Sequence, residues 1–96
     1  MPKATCAAEV RQLTDIPNIG PAAAADLVGL GIATPADVKA MDPLQAYDRL
    51  RDPQGRRHDP CVLDTLMAAH DFMNGGAAQP WWHFTEQRKR LLAETK

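Results

Sequence analysis

Leu13-Thr14-Asp15-Ile16-Pro17-Asn18-Ile19-Gly20-Pro21, followed by Ala22 to Ile32, is the stretch on which the fold turns. It predicts a helix running into a tight turn and a second helix opening at Gly20-Pro21. Gly20 is suited to the positive φ or close backbone approach that a hairpin needs. Pro21 suits the first helical position, where its missing N–H has no intrahelical use. Ala23, Ala24, Leu27, Val28 and Leu30 then recur at helical spacing, and Gly31 is a ready stop. The many alanines let a neighbouring helix come close.

Working outward, Ile16-Pro17-Asn18-Ile19-Gly20-Pro21 with Leu27, Leu30, Gly31 and Ile32 resembles the helix-hairpin-helix pattern: a hydrophobic residue, Pro-Gly-Ile-Gly, a helix, then Gly-Ile. That family is known for sequence-independent DNA binding through its hairpin. Asp59-Pro60-Cys61-Val62-Leu63-Asp64 and Pro80-Trp81-Trp82-His83-Phe84-Thr85-Glu86-Gln87-Arg88-Lys89 resemble a narrower group. These are the small bacterial "pathogenicity locus" proteins, some of them labelled mitomycin resistance proteins. The resemblance extends from about residue 13 to residue 90 and implies a SAM-domain-like helical fold built on the hairpin, with a link to DNA damage or mitomycin resistance. Two departures from the hairpin pattern stand out: Asn18 replaces its first glycine, and Ala22, Ala23 and Ala24 stand where many DNA-binding members carry Lys or Arg.

A chain of 96 residues suits one domain, burying roughly two thirds of its unfolded surface. No segment reaches the ~18 apolar residues of a membrane span, and the N-terminus shows no charged-then-apolar signal pattern, so the cytoplasm is the expected compartment. Cys6 and Cys61 are too few for a disulfide scaffold and are expected as reduced thiols. The net charge of −1 exerts no global pull on nucleic acid. Its distribution is uneven. Residues 1–48 carry three Lys/Arg against six Asp/Glu, and residues 49–96 carry eight against six, so the hairpin lies in the acidic half.

In chain order, Met1 to Thr5 reads as a loose end. A first helix is expected near Cys6 to Thr14, with Ala7, Val10 and Leu13 on one face, and Pro17 ends it. The second helix spans about Pro21 to Leu30. Thr34-Pro35, Asp42-Pro43 and Asp59-Pro60 repeat one start signal, an accepting side chain followed by Pro at the first turn. They predict helices over about Pro35–Met41, Pro43–Leu50 and Pro60–Met73. The last is the central core helix, with Leu63, Leu66, Met67, His70 and Met73 on one face and Asn74-Gly75-Gly76 as its stop. Arg51 to His58 is a turn-rich loop. Thr85 is expected to cap a final helix through about Glu94. No run alternates with period two. The fold class is therefore all-α: a single compact bundle of five to six short helices over residues 1–96.

Three places offer chemistry. Backbone N–H groups of Asn18, Ile19, Gly20, Ala22 and Ala23 are expected to converge on an anion at the positive end of the second helix, and a DNA phosphate fits such a nest. These contacts read no base. The plain alternative is a hairpin that only packs two helices. Arg49, Arg51, Arg56 and Arg57, beside His58, form the densest positive cluster, and Arg56 and Arg57 are the expected supplementary phosphate contacts. The alternative there is a solvated loop with Arg49 or Arg51 paired to local carboxylates. Trp81, Trp82 and Phe84 gather three of the five aromatics next to Arg88, Lys89 and Arg90. They suit base stacking or a protein interaction surface built from Trp81, Trp82, Phe84, Arg88 and Lys89, or else a lid on the core.

Cys61 lies where a helix dipole lowers a thiol's pKa, but Asp59 and Asp64 oppose a thiolate. A metal would need His58, Cys61, His70 and His83 to converge from separate segments, so no metal or cofactor is expected. No nucleophile–base or paired-carboxylate pattern is present, and no catalysis is expected. The leading expectation is a non-enzymatic module making weak, sequence-independent contact with DNA backbone. The rival is a protein-interaction or self-association module in which the hairpin is scaffold. A membrane partner is not expected.

Overall fold

A computed structural model describes residues 3–94. Five α-helices appear in chain order: α1 (Pro21–Gly29), α2 (Pro35–Ala40), α3 (Pro43–Arg49), α4 (Cys61–Met73) and α5 (Thr85–Glu94). Three 3₁₀ turns, Ala7–Glu9, Leu13–Asp15 and Trp81–Phe84, complete the regular structure. Among the described residues there is no strand, only an isolated antiparallel bridge between Arg51 and Arg57. The all-α class holds.

The central element is α4. Leu63, Leu66, Met67, Ala68, Ala69, Phe72 and Met73 are all buried along it, and α2, α3, α5 and the Trp81–Phe84 turn pack around it. Ile16, Ile19, Leu27, Val38, Tyr47 and Phe84 close the core from the other elements. His70, expected on the core face, is half-buried and directs Nδ1 at the Val38 carbonyl (3.2 Å), joining α4 to the end of α2.

The repeated start signals work as their chemistry requires. Thr34 accepts the Asp37 N–H while Asp37 accepts those of Ala33 and Thr34, a reciprocal cap. Asp42 accepts from Leu44 and Gln45, and Asp59 from Cys61. The stops match as well. At the end of α1, Gly31 (φ +87°) bonds to the Val28 carbonyl and Ile32 to that of Leu27. Gly75 (φ +98°) repeats this pattern after α4. There the Asp71 carboxylate folds against Gly76, where a Cβ would lie 1.9 Å from its oxygen, so a larger residue would have to displace that side chain.

Two expectations at the helix starts need correction. The helix expected over Cys6 to Thr14 is two 3₁₀ turns with extended residues between them. The Glu9 carboxylate takes the N–H groups of Thr5 and Cys6, and Asp15 takes those of Arg11 and Gln12. These local side-chain bonds compete with a continuous helical ladder. Thr85 does not cap α5. It has helical dihedrals inside a continuous run from Trp81, and its hydroxyl donates to buried Asp64 at 2.6 Å. The N-terminal stretch is also less loose than expected. Ala4 donates its N–H to the Asp15 carbonyl (2.9 Å), and the Lys3 ammonium bonds the carbonyls of Thr14 and Ile19. Met1 and Pro2 lie outside the described residues.

Candidate nucleic-acid interface

The turn before α1 is built by Pro17 and Asn18. The Ile16 carbonyl accepts the Ile19 N–H (3.1 Å), and Asn18 carries the positive φ, +74°. With Pro at the second position and a left-handed residue at the third, this is a type II turn. Gly20, read as suited to a positive φ or a close backbone approach, is instead extended at φ −91°, ψ −179°, with nothing within 4 Å of where a Cβ would stand. Asn18 fits because Asn tolerates the left-handed region and offers a side-chain bond there. Its amide donates to the Gln79 carbonyl at 2.7 Å, tying the turn to the connector that leads into Trp81.

This geometry divides the expected amide set. Ile19 is wholly buried and its N–H is consumed inside the turn, so it has no donor for a ligand. The Asn18 side chain is likewise committed to Gln79. Gly20, Ala22 and Ala23 differ. Ala22 and Ala23 occupy the first turn of α1, where helix geometry leaves N–H groups unpaired, and the first helical bond runs from Ala24 to Gly20. Ala22 is exposed, and the space in front of the Gly20 Cα is open to at least 4 Å. The first turn of this nine-residue helix thus presents donors without intrahelical partners at its positive end, with Ala22 exposed and Gly20 and Ala23 half-buried. Lys3, its side chain over the Ile19 carbonyl, adds a cation there that the sequence reading missed.

The arginines are placed elsewhere. Arg49 donates to the carbonyl of Leu30 (3.0 Å), at the opposite end of α1, about 13 Å from the free amides by helical rise. Arg51 and Arg57 both pair with Asp48 on α3, and Arg57 also lies over the Tyr47 ring, 5.5 Å from its centroid. In the loop, Gly55 (φ +83°) lets the chain reverse, so that Asp52 and Arg56 pair backbone to backbone. The Asp52 carboxylate accepts the N–H groups of Gln54 and Arg56 and the Arg56 Nε (3.1 Å). These bonds hold the Asp52 carboxyl below its usual pKa, and the Arg57 bond does the same at Asp48. Every arginine of the cluster therefore has a local partner. The Arg56 side chain nonetheless stays 73% exposed, and such surface pairs are worth only ~0–1 kcal/mol, so a phosphate can displace them.

The aromatic set also divides. Trp82 is 63% exposed, Trp81 is half-buried with its ring edge-on to Trp82 at 5.5 Å, and Phe84 is buried in the core. Lys89 is on the surface, 3.8 Å from Glu86. Arg88, expected on the same outer surface, is turned inward. Its Nε bonds Asp64 at 2.8 Å, with the Arg88 side chain 13% exposed and the Asp64 side chain at zero. Arg88 and Thr85 together satisfy both carboxylate oxygens. The sequence reading took Asp64 only as a charge near Cys61 and missed its buried pairing, because its partners lie 21 and 24 residues away. The one local signal was its place on α4 in line with Ala68.

Cys61 is half-buried with its thiol against Asp59, and that hydrogen bond, burial and the charges of Asp59 and Asp64 push its pKa up. The pair of opposing aspartates anticipated from sequence outweighs the helix dipole. Among the described residues no three His, Cys, Asp or Glu side chains converge as a metal site, and no helix is long and apolar enough to cross a membrane.

The pathogenicity-locus (Cdd1) family model matches residues 6–90, a span that includes the turn, the arginine loop and the Trp81–Phe84 segment. A curated relative, "Mitomycin resistance protein McrB" from Streptomyces lavendulae, is 44% identical over 81 residues, covering 84% of this chain and 77% of the relative. No solved structure matches. With most of its length aligned to that model, the chain belongs to the pathogenicity-locus family.

Proposed function

We propose that this protein is a non-enzymatic helix-hairpin-helix module that contacts DNA backbone weakly and without sequence preference, in the service of resistance to DNA damage of the mitomycin kind. The observation that supports the reading is the start of α1, where among the described residues no backbone bond takes the N–H groups of Gly20, Ala22 or Ala23 and Ala22 is exposed. It presents donors without a reader of base edges, the chemistry of phosphate contact. Lys3 stands beside it in place of the lysines absent from Ala22 to Ala24. Arg56 and Arg57, on a separate patch, supply a second and salt-sensitive contact. The name of the Streptomyces relative supports the link to mitomycin resistance.

A few contacts give low affinity and a shallow salt slope. The test is a titration of labelled duplex at about 50 and about 200 mM salt, with Arg56→Ala/Arg57→Ala in parallel. Binding that weakens with salt, and a double variant with a flatter slope, support the reading. No binding at the lower salt, or binding indifferent to salt, contradicts it.

One observation favours a second reading, a protein-interaction or self-association module: Trp82 is the most exposed large apolar side chain described. A Trp82→Ala variant with unchanged DNA affinity but a lost partner or altered oligomeric state would favour it.

A further inference from the structure

On another part of the molecule, a groove of about 410 Å³ lies between the start of α3, the second half of α4, and α5. Its floor is apolar, made by Leu44, Met67, Phe84 and Leu91. Its rim carries Asp42 and Asp71, and no Lys or Arg lines it. The Asp42 carboxylate accepts the backbone N–H groups of Leu44 and Gln45, and neither carboxylate pairs with a cation among the described residues. The DNA reading makes no use of this face, which carries part of the acidity of the chain's first half.

We propose that the groove docks a cationic amphipathic helix from a partner protein. An apolar stripe recurring at i, i+4 and i+7 would lie on the floor, and Lys or Arg beside the stripe would face Asp42 and Asp71. The charge complementarity selects this occupant: an acidic peptide or a nucleic-acid backbone is repelled by the two carboxylates, and a purely apolar segment leaves them uncompensated. Along α5 the groove is lined by Gln87 and Leu91, four residues or about 6 Å apart, so roughly one turn of the bound helix seats on the floor and its flanking turns lie over the rim.

The probe is a synthetic Leu/Lys peptide of about 14 residues with helical periodicity, compared with its scrambled form and with a Leu/Glu version, each titrated into the ¹⁵N-labelled full chain. The expected result is saturable shifts at Leu44, Met67, Asp71 and Leu91 with the Leu/Lys peptide only. Asp42→Asn/Asp71→Asn removes both charges while Asn preserves the α3 cap. It is expected to weaken binding about fivefold, close to 1 kcal/mol. Four outcomes overturn the proposal: no shifts, equal binding of the Leu/Glu or scrambled peptide, affinity unchanged in the double variant, or the same shifts on concentrating the protein alone. Shifts of the groove resonances by a DNA duplex do so as well.

Discussion

The turn at Ile16–Ala23 and the loop at Arg51–His58 begin from opposite compositions and end with opposite availability. The turn has no charged residue between Asp15 and Asp26, yet it opens a helix whose first-turn N–H groups at Ala22 and Ala23 have no intrahelical partner. The loop is dense in arginine, yet Arg51, Arg56 and Arg57 are paired to Asp48 and Asp52, and Arg49 is bound to the Leu30 carbonyl. A count of charges thus ranks the two regions in the wrong order for a ligand that needs free donors. Backbone geometry at a helix start supplies what side-chain composition does not.

The largest effect should come from an arginine outside both regions, Arg88, which calibrates the loop. Arg88→Ala leaves the wholly buried Asp64 without its cation and should cost ~3 kcal/mol or more, lowering the thermal midpoint by roughly 15 °C, whereas Arg56→Ala should cost under ~1 kcal/mol. Equal losses in thermal denaturation would show that the loop pairs are structural, and the contrast between free and committed cations would fail. Next is Asn18. Asn18→Ala keeps neither the left-handed preference nor the Gln79 bond and should cost ~1–2 kcal/mol, while Asn18→Gly, which retains easy access to positive φ, should cost less than half of that. If the two variants are equally stable by chemical denaturation, the turn does not depend on its dihedral.

The two regions separate directly in binding. Ala22→Glu places a carboxylate before the open amides and should weaken duplex binding about tenfold in a low-salt anisotropy titration, ~1.4 kcal/mol. Arg56→Ala/Arg57→Ala should weaken it about threefold and flatten the salt slope. The reverse order would hand the interface to the loop. The smallest effect is on pH. Asp15 and Asp52 are each held below the ordinary carboxylate pKa, chiefly by the N–H groups of Arg11 and Arg56 respectively. A depressed native pKa contributes stability that is present above the unfolded value of about 3.8 and lost as pH falls through the lower native one. The exchange protection of the Gln12 and Gln54 amides, relative to the intrinsic rate at each pH, should therefore fall together below pH ~4, ahead of that of the α4 amides.

Much of this architecture was legible because its signals are local. Thr34-Pro35 and Asp42-Pro43 mark helix starts, Gly31 and Gly75 mark stops, and Leu63, Leu66, Met67 and Met73 mark the buried face of α4. What failed was long-range or competitive. Glu9 and Asp15 suit a helix by periodicity, but their carboxylates are near enough to capture N–H groups three and four residues back. Thr85 has the chemistry of a cap, but Asp64 draws its hydroxyl from across the core. Asn18 looked like a defect in the glycine pattern, and it is the residue that makes the turn. At the candidate site, the helix start at Gly20-Pro21 was legible from its local signal, but the separation of Arg56 and Arg57 from it is set by α3 and could not be read from spacing.

The most direct test is a ¹⁵N NMR titration of the full chain with a duplex at about 50 mM salt, repeated at about 200 mM. The account predicts fast-exchange shifts led by the amides of Gly20, Ala22 and Ala23, with smaller ones at Arg56 and Arg57, all shrinking as salt rises. Unmoved turn amides, with shifts confined to the arginine loop or the Trp82 surface, would contradict it.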